Sequence, residues 1–192
     1  MARAVLTLDR WLRQQQGIFE YTSHAECLFR LEQGRADQTL RLADGTCIRR
    51  GEPILKLHIW NEQVPRMGRQ GPTVGWARRL RRAMEISLHE MARWLKTRAD
   101  LRDIAAICAD MQLGTAVENR QLARIVMRYG FETQDVPDAG RSNRLHHIGE
   151  RILMCMLVLA TNPAALRAGT LRRDYMRIYL SRAVLERRYG GR

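Results

Sequence analysis

At 192 residues the chain is long enough to bury a core of its own and short enough to be read as one domain, 1–192. Hydrophobic residues make up 45% and charged residues 28%, a balance that excludes a disordered chain. The formal net charge is +13, so attraction to polyanions or anionic lipid is built into the composition.

Of the 33 basic residues only Lys56 and Lys96 are lysines. Arginine's planar fork suits phosphate and carboxylate, although a skewed genome base composition produces the same ratio. The first stretch, "MARAVLTLDRWLRQQQ", lacks an uninterrupted apolar core and a small-residue cleavage site, so it reads as an amphipathic helix over 5–16, closed by Gly17, rather than as a secretory signal. Strand-like alternation follows in "ECLFRLEQ", where Cys27, Phe29 and Leu31 share a face. "TLRLADGTCIRRGEPILKLHIW" reads as a hairpin turning at Asp44-Gly45, with a second turn at Arg50-Gly51. In its last strand, 54–60, Leu55, Leu57 and Ile59 form a core face, opposite a mixed face of Ile54, Lys56, His58 and Trp60.

From Thr73 to Lys96 the period changes to that of a helix, with Ala77, Leu80, Met84, Leu88, Met91 and Leu95 on its apolar side. "DIAAICADM" (103–111) reads as a buried strand, "AVENRQLARIVMRYG" as a helix ending at Gly130, and "FETQDV" as a returning strand, which together make a β-α-β unit. The last third reads as helical. It comprises 143–160, a short turn opened by Asn162-Pro163 and closed by Gly169, and a final helix from Thr170 through Tyr189 with Tyr175, Ile178, Tyr179 and Leu185 inward. The expected fold is therefore α+β (mixed α/β): a small, largely antiparallel sheet with one β-α-β unit, helices packed on it and a helical C-terminal third. The longest apolar run, 152–160, falls short of the roughly 20 residues a membrane span needs. A cytoplasmic protein follows, with peripheral association at the inner membrane as a variant.

Cys27, Cys47, Cys108 and Cys155 are widely spaced, and the isolated H-x-x-C of His24 and Cys27 lacks a second ligand pair, so neither a metal nor a cofactor is expected. His146-His147 are adjacent on a helix and point apart. No G-x-S-x-G elbow or P-loop is present.

Two stretches point to a site. The link "NEQVPRMGRQGPTVG" carries Gly71 and Gly75 into a helix start bearing Arg78, Arg79, Arg81 and Arg82. Glycine allows close backbone approach, free N–H groups at a helix start attract anions, and cations there oppose the helix dipole at a cost of about 0.3–1 kcal/mol each. A bound anion would offset that cost; a solvated basic face is the plainer reading. Just before it, "LHIWNE" sets His58, Asn61 and Glu62 at the exit of a strand. His58 could move a proton, Glu62 orient it and Asn61 stabilise developing charge, against the reading of a packed, hydrogen-bonded histidine. Arg182, set among apolar residues, calls for an anionic partner, and Glu62 is one candidate.

The run "DGTCIRRGEPILKLHIWNE" (44–62) together with "LSRAVLERRYG" (180–190) resembles the YkoP-like domain family, small bacterial domains found alone or attached to polysaccharide deacetylases. The positions that carry the resemblance are Asp44, Gly45, Gly51, His58, Asn61 and Glu62 with Ser181, Arg182 and Arg188. It implies an association with envelope polysaccharide or lipid-linked sugars, without a defined reaction; the deacetylase's own aspartate and spaced histidine pair are missing. Three function classes stay open. The first is a domain that binds a phosphorylated or otherwise anionic envelope precursor or phospholipid surface through 58–82, as an accessory or with catalysis. The second is a basic nucleic-acid-binding module, which lacks a recognised aromatic-basic or zinc-finger signature. The third is a small transferase using a coenzyme A or nucleotide-sugar donor.

Overall fold

The computed structural model describes residues 17–68, 71–112, 123–134 and 175–191. The expected helices at 5–16 and 143–160, the Asn162-Pro163 turn, Cys155 and His146-His147 lie outside the described residues.

Five strands form one sheet in the order β1-β4-β5-β7-β6, namely β1 (Phe29–Arg35), β4 (Pro53–Ile59), β5 (Ala106–Gln112), β7 (Tyr175–Ser181) and β6 (Glu132–Gln134). A separate hairpin, β2 (Leu40–Arg41) and β3 (Cys47–Ile48), is the one foreseen at Asp44-Gly45. Gly45 sits at φ 89°, in the left-handed region that a side chain would strain, and the Asp44 carboxylate accepts from the Thr46 amide at 3.0 Å across the turn. β1, not β3, is the antiparallel partner of β4, in a register that sets Arg30 opposite His58 and Glu32 opposite Lys56.

Among the described strands only β4 and β5 are parallel neighbours, joined by the long helix α1 (Val74–Thr97). That is the β-α-β unit, one step earlier in the chain than the spacing suggested. β5 and β6 also run in one direction, with helical residues 123–128 (α2) between them in sequence, but β7 separates them in the sheet.

The sheet has two unlike faces. On one, Leu31, Leu55, Leu57, Ile107, Ile178 and Leu180 pack with Leu88, Met91 and Leu95 of α1 and Leu185 of the last helix, α3 (Arg182–Tyr189). On the other, Ile54, Ala106, Cys108 and Tyr179 are covered by Leu42 and Ile48 of the hairpin. α1 spans about 36 Å at 1.5 Å per residue, whereas seven-residue β4 spans about 23 Å. Its C-terminus must meet the start of β5, so the excess length lies at its N-terminus: the first buried residue is Ala83, and Ala77, expected in the core, is exposed. Ile59, also expected inside, is 49% exposed at the end of β4, beyond the buried part of the helix.

The chain ends in a helix as expected, but that helix starts at Arg182; 175–181 is a strand lying between β5 and β6. Tyr175, Ile178 and Tyr179 recur at three and four residues, as on a helix. Ile178 to Ser181 are nevertheless all buried, because both faces of β7 are covered along 178–181. A strand without a solvent face shows no alternation, and its β-branched and aromatic content is what remains to identify it.

Candidate functional site

The register of β1 on β4 builds a charged cluster on the face away from α1. His58 Nε2 lies 2.9 Å from Glu32 Oε2, and the other oxygen of Glu32 accepts from Lys56 Nζ at 3.1 Å. Lys56 reaches it by lying across Gly34, where an added Cβ would meet Lys56 Cε at 2.7 Å. Burial works to raise the Glu32 pKa, but the hydrogen bonds from His58 and Lys56 outweigh it, and the carboxyl is held below its ordinary value. An ionised carboxylate only accepts, so the shared proton is on His58 Nε2, and in the neutral ring Nδ1 carries the lone pair.

One residue further along, the Arg30 guanidinium is 7% exposed and stacks over the Trp60 ring, 4.2 Å from its centroid. It donates to Glu20 at 3.1 Å and to Glu62 at 3.4 Å. The carboxylate on His58 is therefore Glu32, and Glu62, expected to orient the imidazole, is held by Arg30. Asn61 begins the turn in which the Gln63 amide bonds to the Trp60 carbonyl at 2.9 Å.

The glycine link leads to the opposite face. Gly71 has φ 83° and its amide bonds to the Gly68 carbonyl at 3.0 Å; Trp76 Nε1 donates to the Pro65 carbonyl at 2.8 Å and ties the link to the helix. Thr73 caps α1 by accepting from the Trp76 amide at 3.2 Å. No acidic residue occupies the first turn. Gly75 meets no neighbour closer than 4.0 Å, so packing does not demand a glycine there. Arg81 pairs with Glu85 at 3.5 Å and Arg82 with Glu26 at 3.1 Å, whereas Arg66, Arg78 and Arg79 are exposed and have no carboxylate partner among the described residues.

Arg182 lies at the far end of the sheet from His58. Its Nε donates to Glu186 at 2.7 Å, and its two terminal nitrogens donate to the carbonyls of Leu101 at 2.7 Å and Leu95 at 3.2 Å. It thereby bonds one carbonyl in the last turn of α1 and one in the short turn after it, and fastens α3 to both; its anionic partner is Glu186, not Glu62. Arg188 bonds to the Arg128 carbonyl at 2.9 Å. The expected residues thus fall into three places: His58, Asn61 and Glu62 at the exit of β4, Gly71 to Arg82 at the overhanging start of α1, and Arg182 at the opposite end.

Sequence reasoning missed Glu32 and Arg30. Both face away from Leu31 in the strand recognised at 26–33, so alternation was the available signal; their pairing with β4 was not. Further along the same face Arg177 pairs with Asp37 and Asp110, and the hydrogen bonds it donates to the Asp110 carboxylate hold the guanidinium firmly charged. Between them burial pushes the Cys108 thiol up to about 12, which leaves it unreactive. Cys27, Cys47 and Cys108 are all free. Among the described residues no cluster of His, Cys, Asp or Glu could hold a metal ion, and no helix is long and apolar enough to cross a membrane.

The YkoP domain model matches residues 9–189, and the chain belongs to that family. No curated protein and no solved structure matches it.

Proposed function

We propose that this domain binds an anionic, phosphate-bearing envelope lipid or polysaccharide precursor at a membrane surface, through the overhanging start of α1. The observation that carries the reading is that Arg78 and Arg79 are exposed, and unpaired among the described residues, at the positive end of a helix that has no acidic residue in its first turn. Such a placement is unfavourable until an anion arrives. Val74, 71% exposed on the same turns, supplies an apolar contact of the kind an interfacial helix sinks among headgroups. Gly71 and Gly75 allow a headgroup close to the backbone.

The test is flotation of the full chain with vesicles of phosphatidylglycerol in phosphatidylcholine. Binding should require the anionic lipid, and Arg78→Glu/Arg79→Glu should weaken it at least about thirtyfold, at roughly 1 kcal/mol per basic residue. Unchanged affinity in the double variant rejects the surface. Tighter, steeply salt-dependent binding to duplex or single-stranded oligonucleotides would favour the nucleic-acid reading instead.

A second reading rests on the His58–Glu32 contact. A carboxylate that fixes Nε2–H leaves Nδ1 as a general base, with Asn61 at the same strand exit as an amide donor and Lys56 as the neighbouring cation. Turnover of a phosphorylated sugar precursor should then fall about 10²–10⁴-fold in His58→Gln with vesicle binding unchanged. Full turnover in that variant removes the imidazole from the chemistry.

A further inference from the structure

A cleft between the 22–26 loop and the middle of α1 belongs to neither surface described so far. It has a volume of about 220 Å³ and is lined by His24, Ile86, His89, Glu90 and Arg93. Its two imidazoles are fixed by backbone groups of opposite sense. His89 Nδ1 lies 2.8 Å from the Tyr189 carbonyl, which only accepts, so Nδ1 carries the proton and the neutral ring has a bare lone pair on Nε2. The Tyr189 ring meets that imidazole edge-on at 5.1 Å and holds its plane. His24 Nδ1 instead accepts from the Glu26 amide at 3.1 Å, which puts its proton on Nε2. Neither Nε2 has a partner among the described residues.

The cleft's one carboxylate is already engaged. Glu90 accepts from Thr22 Oγ1 at 2.7 Å with one oxygen and pairs with Arg93 at 2.5 Å through the other, so its charge is matched and Arg93 keeps free N–H groups. What the cleft offers a ligand is therefore an imidazole donor, an imidazole acceptor and a guanidinium.

We propose that this cleft binds a phosphate group that retains one proton. Hydrogen phosphate presents acceptor oxygens and a P–O–H together: His24 Nε2–H and Arg93 donate to the oxygens, and His89 Nε2 accepts the P–O–H. Sulfate has a similar size and shape but no proton to give, and would set its own lone pairs against that of His89. The proposal is independent of the α1-start reading, because it uses different residues and no bilayer.

The experiment follows the ring C–H resonances of His24 and His89 by NMR in the full chain at about pH 7.5, above the ordinary imidazole range. Inorganic phosphate, glycerol phosphate, sulfate and glycerol are titrated at constant ionic strength. Phosphate should move both resonances saturably with Kd near or below 1 mM, about −4 kcal/mol. Sulfate should bind at least about tenfold more weakly for want of one hydrogen bond, and glycerol not at all. Glycerol phosphate, a monoester whose last proton leaves at about pH 6, has almost no P–O–H at about pH 7.5 and should bind as weakly as sulfate; binding as tight as that of inorganic phosphate would overturn the proposal. His24→Phe, in an exposed loop, should abolish the shift at His89, and Arg78→Glu/Arg79→Glu should leave it intact. No saturable shift, or equal affinity for sulfate and phosphate in the wild type, overturns the proposal without reliance on any variant.

Discussion

Ser181 Oγ donates to Asp44 Oδ2 at 2.5 Å, joining residues 137 apart in the chain. The same hydroxyl accepts from the Val184 amide at 3.0 Å and caps α3. The two stretches that resemble the family in sequence thus meet at one hydrogen-bonded corner, where the hairpin tip docks on the start of the last helix. Ser181→Ala should cost about 1–2 kcal/mol, the range for losing a helix cap with its partner. Urea unfolding measures it; a loss below a few tenths would mean that the corner is held by the hairpin's apolar contacts alone.

The corner also sets a pH dependence. Burial works to raise the Asp44 pKa, but hydrogen bonds from Ser181 and Thr46 outweigh it and the carboxyl titrates below its ordinary value. A folded pKa below the unfolded one contributes stability that is present above the unfolded value, about 4, and is lost as pH falls through the folded value. Glu32 acts in the same sense. The urea midpoint should therefore fall below about pH 4, and Ser181→Ala should make the fall shallower. An identical acid profile in the variant would show that Asp44 does not depend on the serine.

Arg30 is a buried cation whose partners remain in contact with water: its side chain is 7% exposed, those of Glu20 and Glu62 49% and 33%. Removing the guanidinium leaves two carboxylates that can be rehydrated, so the loss is that of charge-assisted hydrogen bonds and stacking on Trp60. Arg30→Met should cost about 2–3 kcal/mol. Arg30→Lys should cost roughly half as much, keeping the charge without the fork. A methionine variant as stable as the wild type would mean that desolvating Arg30 cancels everything it gains.

How far the sequence reading reached follows from which faces meet water. β1, the hairpin and α1 each have one wet side, and their periods were legible from single residues: Phe29 and Leu31 inward, Gly45 at positive φ, Leu88, Met91 and Leu95 on one helical stripe. Over 178–181 β7 has no wet side, and it imitated a helix. The site was half legible for a related reason. His58 could be recognised as a polar residue on a strand, but the carboxylate that fixes its tautomer lies on β1, and only the register, not local spacing, places Glu32 beside it. Arg182 showed itself as an arginine in an apolar setting, while two of its partners, the carbonyls of Leu95 in the last turn of α1 and of Leu101 just after it, are backbone groups that no side-chain pattern announces.

Tyr179 gives the sharpest test of the face beneath the hairpin. The residue is fully buried, packed with Cys108, Ile54 and Ile48, and its hydroxyl makes no hydrogen bond among the described residues. Burial raises its pKa, and the Arg177 guanidinium, whose N–H groups and charge lie close by but outside hydrogen-bond geometry, works the other way, so the group stays protonated and is left without a well-formed hydrogen bond among the described residues. Leaving such a hydroxyl unsatisfied costs about 1–3 kcal/mol, whereas the phenylalanine ring fills the same space without that penalty. Tyr179→Phe should therefore stabilise the protein by about 1 kcal/mol, raising the urea midpoint with an unchanged denaturant slope. A destabilised variant would mean that the hydroxyl is hydrogen-bonded in solution, and that the face between Arg177 and the hairpin is more polar than its packing indicates.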